Sequence, residues 1–406
     1  MLITLTALFS YLNHRYIKLP TTIGVMLIAL LFSLGVFTLG HFEPGVAQET
    51  AKVLQRVNFD DTLLQGMLSF LLFAGALQVN LNDLAQKKLV VTVLAVGGVL
   101  ISTALFGSAL YFLLGWFGVK LDLAWCFLFG ALISPTDPVA VLGILKSAQV
   151  PKSLEIKIAG ESLFNDGIGV VAFIVLREIA EGQAPSGGHI VALFMEEAMG
   201  GALLGFVMGW VTYRLLKSVD NYQVEMLLTL ALVMGGYGLA SAMHASGPIA
   251  IVVAGLFIGN HGRRFAMSHT TREHLDTFWE LVDEGLNALL FVLIGLEVLE
   301  LVFTRELLLA GLLAIPVILA ARWISVGIPM ALLRPFQKFT PGALTILTWG
   351  GLRGGISVAL ALSLPPASEE RNVIVALTYI LVVFSILVQG LTIRPVAMRV
   401  LQPARA

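Results

Sequence analysis

An all-α, polytopic membrane fold is predicted by three observations. Hydrophobic residues make up 57% of the 406 and charged residues only 13%, with a mean hydropathy of +0.90; soluble domains are nearer a quarter charged. Apolar runs recur through the whole chain at about the length needed to cross some 30 Å of hydrocarbon. The polar clusters between them are too short to hold a soluble domain, and in lipid the backbone must satisfy itself within helices or closed barrels.

About thirteen helical spans are predicted, each an apolar run bounded by polar residues. In order they are Met1 to Asn13, Pro20 to Leu39, Thr62 to Val79, Leu89 to Phe117, Leu121 to Leu145, Ile156 to Leu176 and Ile190 to Leu215. Val224 to Met243, Ile249 to Gly259, Leu275 to Leu299, Leu307 to Leu332, Leu344 to Leu364 and Val373 to Ile393 follow. The first is short for a full crossing and the ninth shorter still, so twelve spans is the alternative count. Most of the 25 basic residues fall in alternate connections, those with Arg15 and Lys18, Lys87 and Lys88, Lys146 and Lys152, Arg263 and Arg264, and Arg394 and Arg399. By the positive-inside rule the C-terminus is then cytoplasmic and the N-terminus outside.

The net charge of −1 indicates neither nucleic acid nor an anionic-lipid clamp as a partner. The single cysteine, Cys126, excludes an internal disulfide and, among apolar neighbours, reads as a packed thiol. No basic region precedes the first apolar residues, so no cleavable signal is expected. The histidines lack HExxH spacing, which argues against a metalloprotease; His244 in "HASGP" and Glu297 read as a loop residue and an interfacial charge.

Two acidic residues, an amide and a hydroxyl stand together at the head of the sixth span, in "AGESLFNDGIGVVAFIVL". At about 100° per residue, Glu161, Asn165, Ser162 and Asp166 spread over roughly 140° and share one face. Gly160, Gly167 and Gly169 let a neighbouring helix come close. A carboxylate with hydroxyl and carbonyl oxygens suits a hard cation, and the same carboxylate takes a proton. Ionisable residues inside a bilayer need a partner or a function; the others are Asp137, Arg322 and Arg353.

Asp137 lies in the fifth span, "FLFGALISPTDPVAVLGIL", where Pro135 and Pro138 bracket Thr136 and Asp137 and predict unwinding. Arg353 lies in the twelfth, "LTILTWGGLRGGISVALALS", among Gly350, Gly351, Gly354 and Gly355, which also weaken a helix. Interruptions at corresponding places in the two halves predict two inverted structural repeats with the substrate site between them. A channel would need a continuous polar pore lining, and an intramembrane hydrolase a GxSxG setting or a base near Ser162; neither is present.

The ordered motifs "SPTDP" at Ser134 to Pro138, "GESLFNDG" at Gly160 to Gly167, "FVLIGLEV" at Phe291 to Val298 and "GGLRGGIS" at Gly350 to Ser357 resemble the NhaP and NHE type of sodium/proton antiporter. The resemblance runs through the whole chain, and the short tail after Ile393 is similar to the bacterial branch. It implies crossing unwound helices, an inner-membrane homodimer and no cofactor. It also implies a scaffold and dimer bundle, about 1–82 and 190–301, and an ion-carrying core, about 88–182 and 305–400. Asp166 matches the ion- and proton-binding carboxylate, with Ser162 and the Thr136 carbonyl as further Na+ ligands. Asn165 matches the residue that holds the crossing, Glu161 and Arg353 a buried ion pair, and Asp137 the group that neutralises half-helix ends. One departure is that no acidic residue lies between Thr62 and Asn82, where archaeal relatives carry one.

The expected mechanism is competition for one carboxylate, since burial disfavours the ionised form and a bound cation restores it. Asp166 then carries Na+ (or Li+) one way and H+ the other, one to one and electroneutrally. The alternative is K+/H+ antiport on the same fold.

Overall fold

The computed structural model describes residues 2–42, 66–85, 87–137, 141, 145, 151–182, 187–243, 245–297, 304–337, 339–365 and 368–401. Pro138 and His244 lie outside them, as do most of the second half of the fifth span and the start of the third. Among the described residues the chain is helical throughout, and β structure amounts to one isolated bridge.

The helices are α1 (Leu2–Leu12), α2 (Thr21–Phe42), α3 (Leu68–Gln78), α4 (Lys88–Trp116), α5 (Leu123–Ile133), α6 (Lys152–Ala180) and α7 (Gly187–Leu216). They continue with α8 (Tyr222–Ala242), α9 (Gly247–Phe257), α10 (His269–Glu297), α11 (Arg305–Leu333), α12 (Ala343–Trp349), α13 (Gly355–Leu362) and α14 (Glu369–Leu401). Each predicted span meets a helix, and the twelfth is split into α12 and α13. Among the described residues five helices are long and apolar enough to cross a membrane, or six with the bent pair of α1 and α2. Helices α6 and α10 are as long, at 29 residues each, but carry polar residues that a purely apolar span lacks.

Local chemistry sets the ends. Asn221, Ser246, Thr304 and Ser368 cap α8, α9, α11 and α14 by accepting from backbone N–H groups of the first turn. Between α1 and α2 the axis turns by 107°. Lys18 takes a left-handed φ of 59°, and the Asn13 side chain fixes the turn by donating to the Leu19 carbonyl at 2.9 Å and accepting from its N–H at 3.3 Å.

Helices α7 and α9 pack backbone to backbone. Gly201, Gly205 and Gly209 recur every four residues on α7 and face Ser246, Ala250 and Ala254 of the α9 strip. A Cβ at Gly205 would lie 2.8 Å from the Ala250 Cα, and one at Gly201 would lie 2.6 Å from the Ser246 carbonyl oxygen. Small residues at this spacing let membrane helices meet where no hydrophobic drive exists between them. On its other side α9, with the turn that follows it, repeats the device against α3: a Cβ at Gly255 would sit 3.1 Å from the Phe73 carbonyl oxygen, and one at Gly259, just past the end of α9, would sit 2.9 Å from the Leu77 Cα.

The largest apolar cluster joins the inner halves of α5, α6, α10, α13 and α14, through residues such as Phe129, Ile133, Phe173, Ile294 and Val358. It fills the space on one side of the interrupted helices. Gly205→Ala should cost about 1–3 kcal/mol of stability, because the clash is with backbone and has no rotamer to relieve it. Gly235→Ala, where an added Cβ meets nothing within 4 Å, should be near neutral; thermal melting of the solubilised variants checks the contrast.

Candidate functional site

The two interrupted spans cross where each is unwound. After α5 ends at Ile133 the chain runs extended through Asp137, whose N–H donates to the Leu352 carbonyl at 2.7 Å. Leu352 lies between α12 and α13, and this antiparallel pair is the one bridge of the described residues. Glycine is required at the close approaches: a Cβ at Gly354 would be 2.7 Å from both Cβ and Oδ2 of Asp137, and one at Gly355 would overlap the Leu290 side chain. Gly169 of α6 likewise accepts the Pro135 ring.

Breaking a helix leaves backbone carbonyls and N–H groups without partners. At the end of α5 the Arg353 guanidinium answers this: its Nη1 donates to the carbonyls of Ser134 and Pro135, the latter at 3.0 Å, while the backbone N–H of Arg353 donates to Ser385 Oγ at 2.8 Å. A cation at a helix C-terminus is favoured by the helix dipole. The Asp137 carboxylate lies beside Gly354, the N-cap of α13, where a negative charge is favoured for the same reason.

Helix α6 brings its polar face to this crossing. Glu161, Ser162, Asn165 and Asp166 are all buried, at 2%, 2%, 1% and 6% exposure. Asn165 Nδ2 donates to Thr136 Oγ1 at 2.8 Å, and its Oδ1 accepts from the Thr136 N–H at 3.3 Å. Ser162 Oγ donates to the Thr136 carbonyl and lies 3.0 Å from Thr136 Oγ1. The structure thus gathers Thr136, Ser162, Asn165 and Asp166. Of these, Asp166 alone keeps a buried oxygen, Oδ1, with no hydrogen-bond partner among the described residues.

The ion pair expected between Glu161 and Arg353 is not formed. Glu161 is held by Arg322 of α11: Nη1 meets Oε1 at 2.7 Å and Nη2 meets Oε2 at 3.0 Å, with both side chains buried. The two-point fork is the geometry a guanidinium prefers with a carboxylate. Arg353 cannot serve here because its reach is spent on the α5 carbonyls. Arg322 Nη2 also donates to the Leu347 carbonyl of α12 at 3.4 Å, so the pair ties α6, α11 and α12 together.

A cavity of about 540 Å³ leads to Asp166. Exposed Gln78, Asn80 and Lys152 line one end of it; Pro135, Thr136 and Asp166 line the other, buried end. From Lys152 to Asp166 the α6 axis rises about 21 Å. Beyond Asp166, Val170 and Phe173 enter the apolar cluster, so the cavity is open on one side and closed on the other. Asp283 and Asn287 of α10 line the same cavity, and Asn287 Nδ2 donates to Asp283 Oδ1 at 3.1 Å. Sequence reasoning missed this pair. The signal was an Asp and an Asn four residues apart inside the predicted tenth span, masked by Asp276, Glu280 and Glu284 on the same segment.

Residues 3–399 match the family model described as the transmembrane sodium/hydrogen exchanger. The chain belongs to the sodium/hydrogen exchanger family. Its relatives include the Na(+)/H(+) antiporter NhaP of Pseudomonas aeruginosa, 50% identical over 406 residues and covering 98% of this chain and 95% of that one. The Na(+)/H(+) antiporter NhaH of Halobacillus aidingensis is 36% identical over 392 residues, covering 94% and 92%. Among solved structures, the sodium proton antiporter MjNhaP1 of Methanocaldococcus jannaschii at pH 8 superposes with a TM-score of 0.77 over 98% of this chain and 97% of that one, at 18% identity. Membership of the exchanger family makes the chain a multi-pass membrane transporter with the polytopic NhaP-type fold.

Removing one member of a buried pair strands the other, at about 3–5 kcal/mol. Arg322→Gln should therefore destabilise strongly, and Glu161→Gln in the same chain should recover part of the loss. A double-mutant cycle on thermal stability should give a larger coupling for 161 with 322 than for 161 with 353.

Proposed function

We propose that this chain is a secondary active antiporter that exchanges Na+ (or Li+) for H+ by competition for the Asp166 carboxylate. The observation that carries the reading is that Asp166 Oδ1, at the closed end of a one-sided cavity, has no hydrogen-bond partner among the described residues. A carboxyl in that place is stable when neutral, or when a cation lies against it, and costly when bare and charged. Ser162 Oγ and the Thr136 carbonyl are the other Na+ ligands. Ser162 Oγ donates to the Thr136 carbonyl, so a cation coordinated by both must displace that hydrogen bond.

Exchange follows from restricting movement to the two neutral forms. Asp166 with a proton and Asp166 with Na+ both leave the crossing free of net added charge, and either passes the low-dielectric barrier. One exchanging carboxylate gives one cation per proton and no net current. Asn165 fixes α6 to the crossing, Asp137 and Arg353 neutralise the broken helix ends, and Glu161 with Arg322 holds the frame. Asp283 sits along the entry route, where its carboxylate, when ionised, attracts cations.

The carrying core is about 88–182 and 305–400, against a scaffold of about 1–82 and 190–301 through which two copies form a homodimer in lipid. The protein works in the bacterial inner membrane, N-terminus outside and C-terminus in the cytoplasm, in pH homeostasis. On this reading the cavity faces the cytoplasm, since Lys152 stands at its open end.

In proteoliposomes, Asp166→Asn should abolish Na+-driven proton flux while keeping the melting temperature near wild type. Normal flux in that variant would sink the assignment, and a steady flux that depends on an imposed membrane potential would sink electroneutrality. Asp283→Asn should raise the apparent KM for Na+ severalfold with saturated flux retained, read from the same pH-dye assay across Na+ concentrations.

A further inference from the structure

A second cavity, of about 640 Å³, lies between the end of α3 and the link from α9 to α10. Arg263, Arg264 and Arg272 line it together with His261, and none of its lining residues is acidic. The net charge of −1 conceals this concentration.

The charges are poorly matched. Arg263 meets Asp276 through Nη2, yet its Nε is buried and has no partner among the described residues. Among the described residues Arg272 donates Nε and Nη2 to the Met267 carbonyl alone, at 3.2 and 3.0 Å, a neutral acceptor that leaves its charge in place. Arg264 is exposed, and among the described residues it meets only the face of Phe265, 5.1 Å from the ring centroid. Three guanidinium groups around one hollow, with N–H groups to spare, present the forked donors that a phosphate takes in pairs.

Apolar surface lies beside the charge. Phe257 and Phe265 line the hollow, and Phe265 is half exposed, at 50%. A free anion needs no such rings, whereas a headgroup carried by acyl chains does. Basic pockets at the cytoplasmic ends of membrane helices take acidic headgroups, with each basic residue contributing to the attraction. We propose that this cavity binds the phosphate of an anionic phospholipid headgroup. The site adjoins the ion route, because Gln78, Val79 and Asn80 line both cavities and Asn260 holds this lip by donating to the Val79 carbonyl at 2.9 Å and accepting from the Leu81 N–H at 2.7 Å.

The test uses purified full-length protein incubated with equal amounts of phosphatidylglycerol and phosphatidylcholine and examined by native mass spectrometry. Wild type should retain phosphatidylglycerol in preference. Arg264→Gln should lower that preference roughly fivefold, the ordinary worth of one basic residue at an anionic surface, and adding Arg272→Gln should lower it further. Cation-driven flux in phosphatidylcholine liposomes, expected at the wild-type level for Arg264→Gln, shows that the fold survives. A folded Arg264→Gln variant that keeps the full preference overturns the proposal. So does inorganic phosphate raising the wild-type melting temperature as much as phosphatidylglycerol does, since the occupant would then be a free anion.

Discussion

The structure depends on one constraint: a helix interrupted inside a bilayer exposes backbone groups that no water is there to satisfy, at several kcal/mol each. The crossing meets it with a small set of exchanges between the two interrupted spans. Arg353, from the second, takes the carbonyls that end α5; Asp137, from the first, lies at the start of α13; and one bridge joins Asp137 to Leu352. Each span thus supplies the charge that the other's break requires. Asn165 then binds the first crossing segment to α6 through Thr136. Of the α6 side chains at the crossing, Asp166 keeps an oxygen, Oδ1, without a hydrogen-bond partner among the described residues.

Much of this was legible because the residues that break helices are local signals. Pro135 beside Asp137, and four glycines around Arg353, mark both interruptions without reference to anything distant. The shared face of Glu161, Ser162, Asn165 and Asp166 follows from helix periodicity alone, and the structure buries all four. Pairing across the fold is a different matter. Arg322 stands in an ordinary apolar span with nothing around it to show where α11 will pack, and two buried arginines competed for one Glu161. The glycines that unwind the twelfth span also decide the outcome, because they place Arg353 in the crossing itself, against α5 and away from the α6 carboxylate.

Asp283 was illegible for another reason. It shares its helix with Asp276, Glu280 and Glu284 at helical spacing, a pattern that reads as one solvated face. Only the approach of α3, α6 and α13 makes part of that face the wall of a cavity. The arginine pocket shows the same limit at the scale of the whole chain, since a total charge near zero is compatible with any local arrangement.

The glycine contacts along α7, α9 and α3 have a mechanical consequence. A joint made of backbone against backbone has no rotamers to exchange and hence a single register, so it is stiff to sliding. Because α9 is joined in this way to both neighbours, the three helices act as one slab, and its edge is the α3 wall formed by Leu71, Leu72 and Gln78. Compliance must then reside on the opposite wall, where Leu163, Leu290 and Ile356 meet across the cavity through side chains that can re-sort. The slab thus includes part of the wall of the cavity that reaches Asp166.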